Sequence, residues 1–162
     1  MPLAGAHIAV TIAVLAAVRK FLKIRFSGRM LLLGGVLGLI PDIDIPLAMI
    51  ANRVFGTSLY FHKIYTHALA IPAAIFAAAI AAKHFRKEKA AVTLLMAAIA
   101  WIVHIILDCQ FTVGLSPSLL PGGKGMAFCT GLLGIDRLMQ ADAVAISLLV
   151  IYLAYKSKNC KD

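Results

Sequence analysis

The sequence is short of charged residues, and acidic residues are the scarcest. Only 14% of the 162 residues are charged, and 7 of them are aspartate or glutamate against 16 lysines and arginines. Soluble domains usually carry about 25% charged and about 45–50% apolar residues. Here 62% of the residues are hydrophobic, with a mean hydropathy of +0.93. The shortage of charge excludes an ordinary soluble domain and predicts a single integral-membrane domain over residues 1–162.

Several sequence signatures are also missing. No basic segment precedes the first apolar run, so no cleavable signal peptide is predicted. Cys109, Cys129 and Cys160 show no CxxC spacing, which favours packing or one outer-face disulfide over metal ligation. The glycines of residues 121–125 do not form a P-loop. The net charge of +9 comes in short clusters between apolar runs, where basic residues set topology rather than bind nucleic acid.

Apolar runs between these clusters predict about five transmembrane segments. They cover residues 3–18, 30–51, 67–82, 90–107 and 141–155. The second run is broken at residues 41–46 (PDIDIP), because proline removes a backbone donor and disfavours helix just before it. Thr66 is a candidate N-cap for the third run. The predicted fold is therefore all-α, a polytopic membrane helical bundle with one broken span.

Basic residues divide unevenly between the two sides of this bundle. If residues 19–29 are cytoplasmic and the chain crosses five times, twelve of the 16 basic residues face the cytoplasm and four face outwards. The outer four are Arg53, Lys63, Lys124 and Arg137. Cytoplasmic loops of membrane proteins carry the excess of lysine and arginine. The bias predicts a plasma (inner) membrane protein with its N-terminus outside and its C-terminus in the cytoplasm.

Residues 104–108 (HIILD) close a long apolar run and put two ionisable side chains on one helix face. Burying such groups costs several kcal/mol unless they are paired or hold a metal. Further ionisable residues lie in or beside apolar runs: His7, Asp42, Asp44, His62 and His67. A helix rises about 1.5 Å per residue, so heights can be counted from the cytoplasmic basic residues. Ionisable residues of four separate helices then lie about 18–27 Å above that level, in the outer half of the membrane. The common depth predicts one shared site.

Imidazole and carboxylate together suit zinc, with manganese or iron as alternatives. The predicted ligands are His7, Asp42, Asp44, His62, His67, His104 and Asp108. They exceed one zinc site and would fill two, and paired metals clamp the attacking and leaving oxygens of a displacement at phosphorus. Asp42 or Asp44 is the candidate general base towards water. Lys63, Arg53 and Arg137 are weaker candidates for holding a phosphate.

Each of these residues also has a structural explanation. A lone histidine in a membrane helix is more often a packing residue, aspartates between prolines can cap a broken helix, and His104 with Asp108 can be a structural pair. Taken together these structural explanations are less convincing, because independent roles would not place all of these residues at one depth. For Asp136 and Asp142 a structural or capping role is favoured over membership of the site.

These motifs resemble those of the YdjM-like family of membrane-bound metal-dependent hydrolases. The matching segments, in the family's order over roughly residues 2–121, are the histidine of the first run, GLIPDID at 38–44, HKIYTH at 62–67, HIILD at 104–108, FTVG at 111–114 and the later Leu120-Pro121. Lys63, Ile64 and Ala68 replace the arginine, glycine and serine of the family's HRGxTHS-like motif. The family is in turn distantly similar to zinc-dependent phospholipase C and fungal single-strand nucleases, whose HxxxD spacing maps onto His104 and Asp108. No histidine follows Asp108, so the resemblance implies at most two metals.

The predicted function is metal-assisted hydrolysis of a phosphoester at the outer leaflet. The depth of the site favours a lipid or lipid-linked phosphate, and nucleic acid is disfavoured because it would have to reach a buried site. One rival is an ion or small-solute transporter, since polar residues at membrane depth and a broken helix also describe ion pathways. Another is a non-catalytic membrane protein that a metal stabilises. The sequence leaves the oligomeric state open.

Overall fold

A computed structural model describes residues 4–24, 26–57, 65–111, 117–121, 129, 140 and 142–152 of the chain. Their helices are α1 (Ala4–Phe21), α2 (Gly28–Leu37), a 3₁₀ helix (Ile40–Ile43), α3 (Asp44–Phe55), α4 (Ala70–His84), α5 (Glu88–Phe111) and α6 (Asp142–Tyr152). These described residues contain no strand. The predicted all-α fold is confirmed.

Two of the described helices are long and apolar enough to cross a membrane. They are α1, with 18 residues, and the 23-residue stretch Glu88–Gln110 of α5. A third span is possible if Gly28–Leu37 and Ile40–Phe55 are counted as one helix bent by 41°. By length and composition, then, the described residues offer two or three spans. The predicted count of about five is not confirmed, since α4 and α6 are shorter apolar helices.

The bend between α2 and α3 begins a few residues before the break predicted at residues 41–46, because α2 already ends at Leu37. Pro41 occupies the first turn of the 3₁₀ helix, a position that tolerates proline because no backbone donor is needed there. Ser27 caps α2 by accepting from the backbone N–H of Met30 at 3.2 Å. Gly56, with φ of 62°, ends α3 in the left-handed conformation that glycine adopts without strain.

The predicted N-cap role of Thr66 is wrong. α4 begins at Ala70, after Leu69, and Leu69 makes no side-chain cap. The backbone ahead of α4 is instead held by residues 117–121: Leu69 N–H donates to Ser118 O at 2.9 Å, and Ala70 N–H to Leu119 O at 2.9 Å. These bonds across the chain occupy the backbone N–H groups of Leu69 and Ala70.

An apolar core lies between α1, α2 and α5. Its members are Leu15, Phe26, Leu31 and Met96. α2 lies close against α1 because small residues face the contact: a Cβ on Gly35 would lie only 2.8 Å from Ile12 Cγ1. Small residues of this kind let membrane helices approach at backbone distance.

The helices alternate in direction, and this separates the charges. α1 and α4 end, and α2 and α5 begin, at the same end of the bundle. That basic end carries Arg19, Lys20, Arg29, Lys83, Arg86, Lys87 and Lys89. Large apolar side chains such as Leu47, Ile50, Val54, Leu148 and Ile151 are exposed on α3 and α6. Such faces suit contact with lipid.

A disulfide crosslinks the opposite end. Cys109, in the last turn of α5, is bonded to Cys129 across a sequence separation of 20. Of the two roles that the sequence left open for these cysteines, packing or a disulfide, the structure has the disulfide.

Candidate metal centre

The structure brings five of the predicted residues together at the end of the bundle away from the basic residues. They are His7 of α1, Asp42 of the 3₁₀ helix, His67 just before α4, and His104 and Asp108 of α5. The side chains of His7, His67, His104 and Asp108 are fully buried, whereas that of Asp42 is 20% exposed. Separate segments of the chain thus converge on one buried polar cluster.

Four of the five could hold a single metal ion. Each of Asp42, His67, His104 and Asp108 offers one ligand atom, and the four atoms lie within 4.8 Å of one another. His67 Nε2 lies 3.2 Å from His104 Nε2 and 3.1 Å from Asp108 Oδ2. Asp42 Oδ1 lies 3.4 Å from His104 Nε2 and 3.8 Å from His67 Nε2. A tetrahedral zinc ion, with bonds of about 2.0–2.1 Å, separates its ligand atoms by about 3.3–3.4 Å. The four separations of 3.1–3.8 Å are near this value, whereas His104 Nε2 and Asp108 Oδ2 are wider apart, at 3.9 Å.

The backbone carbonyl of Gly38 determines which ring nitrogen of His104 carries the hydrogen. His104 Nδ1 lies 2.7 Å from Gly38 O, in the turn that follows α2. A carbonyl oxygen can only accept, so Nδ1 carries the hydrogen and donates it. In the neutral ring, Nε2 then keeps its lone pair, and it faces the other three ligand atoms.

Two hydrogen bonds in series, from Asp44 through Thr66, determine which ring nitrogen of His67 carries the hydrogen. Thr66 Oγ1 donates to Asp44 Oδ2 at 2.7 Å and lies 3.0 Å from His67 Nδ1. Because its only hydrogen goes to the carboxylate, the hydroxyl accepts from Nδ1–H, which leaves Nε2 of the neutral ring without a proton. Asp44, predicted as a ligand and a candidate base, thus lies behind His67 and outside the group of four ligand atoms.

Both imidazoles therefore direct lone pairs at a common point. Two lone pairs 3.2 Å apart, with two carboxylates around them, repel unless a cation lies among them. That cation is either a divalent metal or a proton on one of the rings. Buried imidazole and carboxylate oxygen are donors that zinc, manganese and iron accept.

His7 lies beside the group of four. Its Nε2 is 3.5 Å from Asp108 Oδ1, and its ring stacks on His104 with centroids 4.1 Å apart. Neither ring nitrogen has a hydrogen-bond partner among the described residues, and the same holds for Thr11 Oγ1 one turn further along α1. Buried polar atoms of this kind usually bind an ordered water or an ion. The ligand role of His7 stays a prediction.

The other predicted residues lie away from this cluster or outside the described residues. Asp142 Oδ1 accepts from the Ala6 N–H at 2.6 Å, so it caps the first turn of α1, in keeping with the capping role favoured from sequence. Arg53 is exposed in the last turn of α3, about 14 Å along the helix from Asp44. His62, Lys63, Lys124, Asp136 and Arg137 lie outside the described residues.

Three groups that shape the site were not predicted from the sequence. They are the Gly38 carbonyl, the Thr66 hydroxyl and Thr11. A signal existed for two of them: Thr66 directly precedes His67, and Thr11 lies four residues after His7 on the same helix face. Gly38 begins the GLIPDID segment, but the role of its carbonyl was not readable because it depends on where α2 ends.

Comparison with known proteins identifies the family. A family model described as YdjM inner membrane protein matches residues 1–160, so the chain belongs to this family of inner membrane proteins. No curated protein and no solved structure matches the chain. Hydrolase activity and the distant similarity to zinc-dependent phospholipase C stay predictions.

Proposed function

We propose that this member of the YdjM inner membrane protein family is a membrane-embedded, metal-dependent hydrolase that cleaves a phosphoester of a lipid or lipid-linked phosphate. The supporting observation is the facing pair of Nε2 atoms of His67 and His104, 3.2 Å apart beside two carboxylates. The Gly38 carbonyl and the Thr66 hydroxyl hold both rings in this orientation. Outer hydrogen bonds of this type orient histidine ligands in metal sites.

A divalent metal bound among Asp42, His67, His104 and Asp108 would polarise a phosphoryl oxygen and make water a better nucleophile at neutral pH. Asp42 is the candidate base. Its Oδ1 is buried against the imidazoles although its side chain is 20% exposed, so the rest of the carboxylate can accept a proton from an attacking water. Asp44 orients His67 through Thr66. A second ion would take His7 and Asp108 Oδ1, 3.5 Å apart, as ligands.

Two observations support an orientation with the site in the outer half of the membrane and the N-terminus outside. The basic residues gather at the end of the bundle away from the site, and such clusters favour the cytoplasm. The Cys109–Cys129 disulfide lies at the end that carries the site, and disulfides persist on the periplasmic side. A site at this depth is accessible to membrane lipid, so a lipid phosphoester is the proposed substrate class.

The rival function is that of a proton or ion transporter. A proton on one ring would also relieve the repulsion between His67 Nε2 and His104 Nε2, and the bent helix is a common feature of transport sites. A metal that only holds the helices together is the third alternative. The three functions differ in metal content, in turnover and in flux.

The first test is metal content by mass spectrometry on detergent-purified protein. We expect about one or two zinc, manganese or iron ions per chain in the wild type. His104→Ala and His67→Ala remove ligands and should lose the metal, whereas His84→Ala, an exposed histidine at the end of α4, should keep it. Absence of metal after careful reconstitution would contradict the hydrolase and turn attention to transport assays.

The second test is release of phosphate or of the headgroup from lipid phosphoesters by the metal-loaded protein. Turnover that His104→Ala abolishes supports the hydrolase. Bound metal without turnover on any lipid phosphoester would indicate that the metal only stabilises the helices. Flux of protons or metal into liposomes would identify a transporter.

A further inference from the structure

A groove of about 410 Å³ opens beside the metal centre, between the start of α1 and the bend after α2. Its described walls are Ala4, Val36, Leu39, Ile40, Asp42, Ile43 and Pro46. Asp42 is the one charged residue among these walls. The groove is therefore apolar along its length and carries a carboxylate where it meets the site.

Asp42 connects the groove to the metal centre. The side chains of His67, His104 and Asp108 are 0% exposed, so Asp42, at 20%, is the member of the group of four that reaches the surface within the described part of the chain. Its Oδ1 is buried against the imidazoles, yet the residue also lines the groove. The carboxylate thus forms the boundary between the groove and the position of the metal.

We propose that this groove holds one acyl chain of a phospholipid, whose phosphoester reaches the metal past Asp42. The inference rests on the proposed function and adds where the acyl chain of the substrate binds. Val36 and Ile43 are more than half exposed and offer hydrocarbon contacts, whereas a bound metal offers the positive charge that a phosphate needs. A volume of about 410 Å³ is near the lower end of the range for ligand sites, about 300–1,000 Å³, and suits one chain.

A second groove provides an internal control. It has about 350 Å³, lies near the basic end, and includes Phe76, Ile80, Lys83, Glu88 and Leu95 among its walls. Its described walls contain no member of the metal-binding group. Boundary lipid would fill both grooves alike, whereas a substrate lipid would favour the groove at Asp42.

The test is photocrosslinking in nanodiscs. Zinc-loaded protein is placed in phosphatidylglycerol that contains a small fraction of phosphatidic acid with a diazirine on one acyl chain, and adducts are mapped by peptide mass spectrometry. We expect adducts at Val36, Ile40 and Ile43 to exceed those at Phe76 and Ile80 by about tenfold, which corresponds to about 1.4 kcal/mol of preferential binding. Chelation of the zinc should remove most of this excess, because the phosphate then loses its partner.

Two exposed residues give matched variants. Val36→Trp fills the groove at the site, and Ile80→Trp fills the second groove; the two side chains are 56% and 57% exposed. Val36→Trp should reduce the adducts at Ile40 and Ile43 to the level of the second groove, while Ile80→Trp leaves them unchanged. Zinc content identifies variants that have kept the fold.

Three outcomes would overturn the inference. Equal labelling of the two grooves would mean boundary lipid only, and labelling that Val36→Trp leaves unchanged would place the chain elsewhere. Equal enrichment of a diacylglycerol probe, which has no phosphoester, would show that the phosphate does not contribute to binding in the groove. Crosslinking needs no turnover, so it tests the groove separately from the reaction. Enriched adducts without hydrolysis would support lipid binding in the groove and contradict the proposed reaction. Hydrolysis without enriched adducts would support the reaction and contradict binding of the acyl chain in this groove.

Discussion

The two ends of the helical bundle are built on the same stripes of side chains but differ in polarity. On α1 the stripe runs through His7, Thr11 and Leu15, and all three are fully buried. On α5 it runs through Met96, Ala100, His104 and Asp108, again four residues apart and fully buried. Because the two helices are antiparallel, Leu15 and Met96 share the apolar core at the basic end, and His7 stacks on His104 at the other.

Equal burial has opposite consequences at the two ends. Leu15 and Met96 stabilise the apolar end by close packing and need no polar partner, as apolar side chains at membrane helix contacts do. Burial of imidazoles and carboxylates costs free energy unless their polar atoms are satisfied. The apolar end should therefore be stable with or without a metal, whereas the polar end should depend on its cation.

Metal removal should have a large effect, and the effect should be confined to the polar end. A zinc ion at about a thousandfold above its Kd contributes about 4 kcal/mol to the free energy of unfolding. Thermal unfolding in detergent, with zinc and with a chelator, measures this difference. In Asp108→Asn, which alters the carboxylate that contacts three histidines, the difference should vanish. A variant that kept the full difference would contradict the assigned site.

Truncation at the apolar end should destabilise the protein without touching the metal. Met96→Ala leaves a cavity in the core and should lower the free energy of unfolding by about 2–5 kcal/mol. The increment that zinc adds should match the wild type. Loss of the zinc increment in this variant would show that the two ends are coupled.

Removal of the Thr66 hydroxyl should weaken metal binding without abolishing it. Thr66→Val breaks the chain from Asp44 to His67, and loss of such an outer contact costs about 10–100-fold in metal affinity. Thr66→Ser keeps the hydroxyl and should bind zinc nearly as the wild type does. Zinc titration against a competing chelator measures both. Equal affinities for the valine and serine variants would refute the positioning role.

Loss of the Asp142 cap should have the smallest effect. Asp142→Ala removes the acceptor of the Ala6 N–H and should cost about 1 kcal/mol of stability. Zinc affinity should not change, since Asp142 lies outside the metal-binding group. Asp142→Asn keeps an acceptor and is the matched control. A large drop in zinc affinity for the alanine variant would bring Asp142 into the site.

The sequence was sufficient to predict that polar residues of separate helices come together. The four-residue spacing of His104 and Asp108 places them on one helix face. The basic residues give the cytoplasmic level from which the height of each residue along its helix is counted. A bend close to Pro41 was readable because proline acts on its own neighbours, although α2 ends a few residues earlier, at Leu37.

Roles that depend on distant partners were not readable. Thr66 resembles a helix cap in sequence, but its carbonyl accepts from Trp101 Nε1 at 2.9 Å and its hydroxyl bonds to Asp44. These partners lie 35 and 22 residues away along the chain. Local pattern therefore indicated which side chains meet in the polar cluster, but not which of them could ligate an ion and which support those residues.

The Cys109–Cys129 crosslink has a consequence for the order in which the molecule matures. It closes a loop that includes residues 117–121, and Ser118 and Leu119 of that loop hold the backbone of Leu69 and Ala70, next to His67. Closing a loop of this size restricts the unfolded chain by about 3 kcal/mol in the entropic account. In the proposed orientation the bond forms only after this segment has crossed the membrane. Export would then precede completion of the site, and the cytoplasm would never hold the finished cluster.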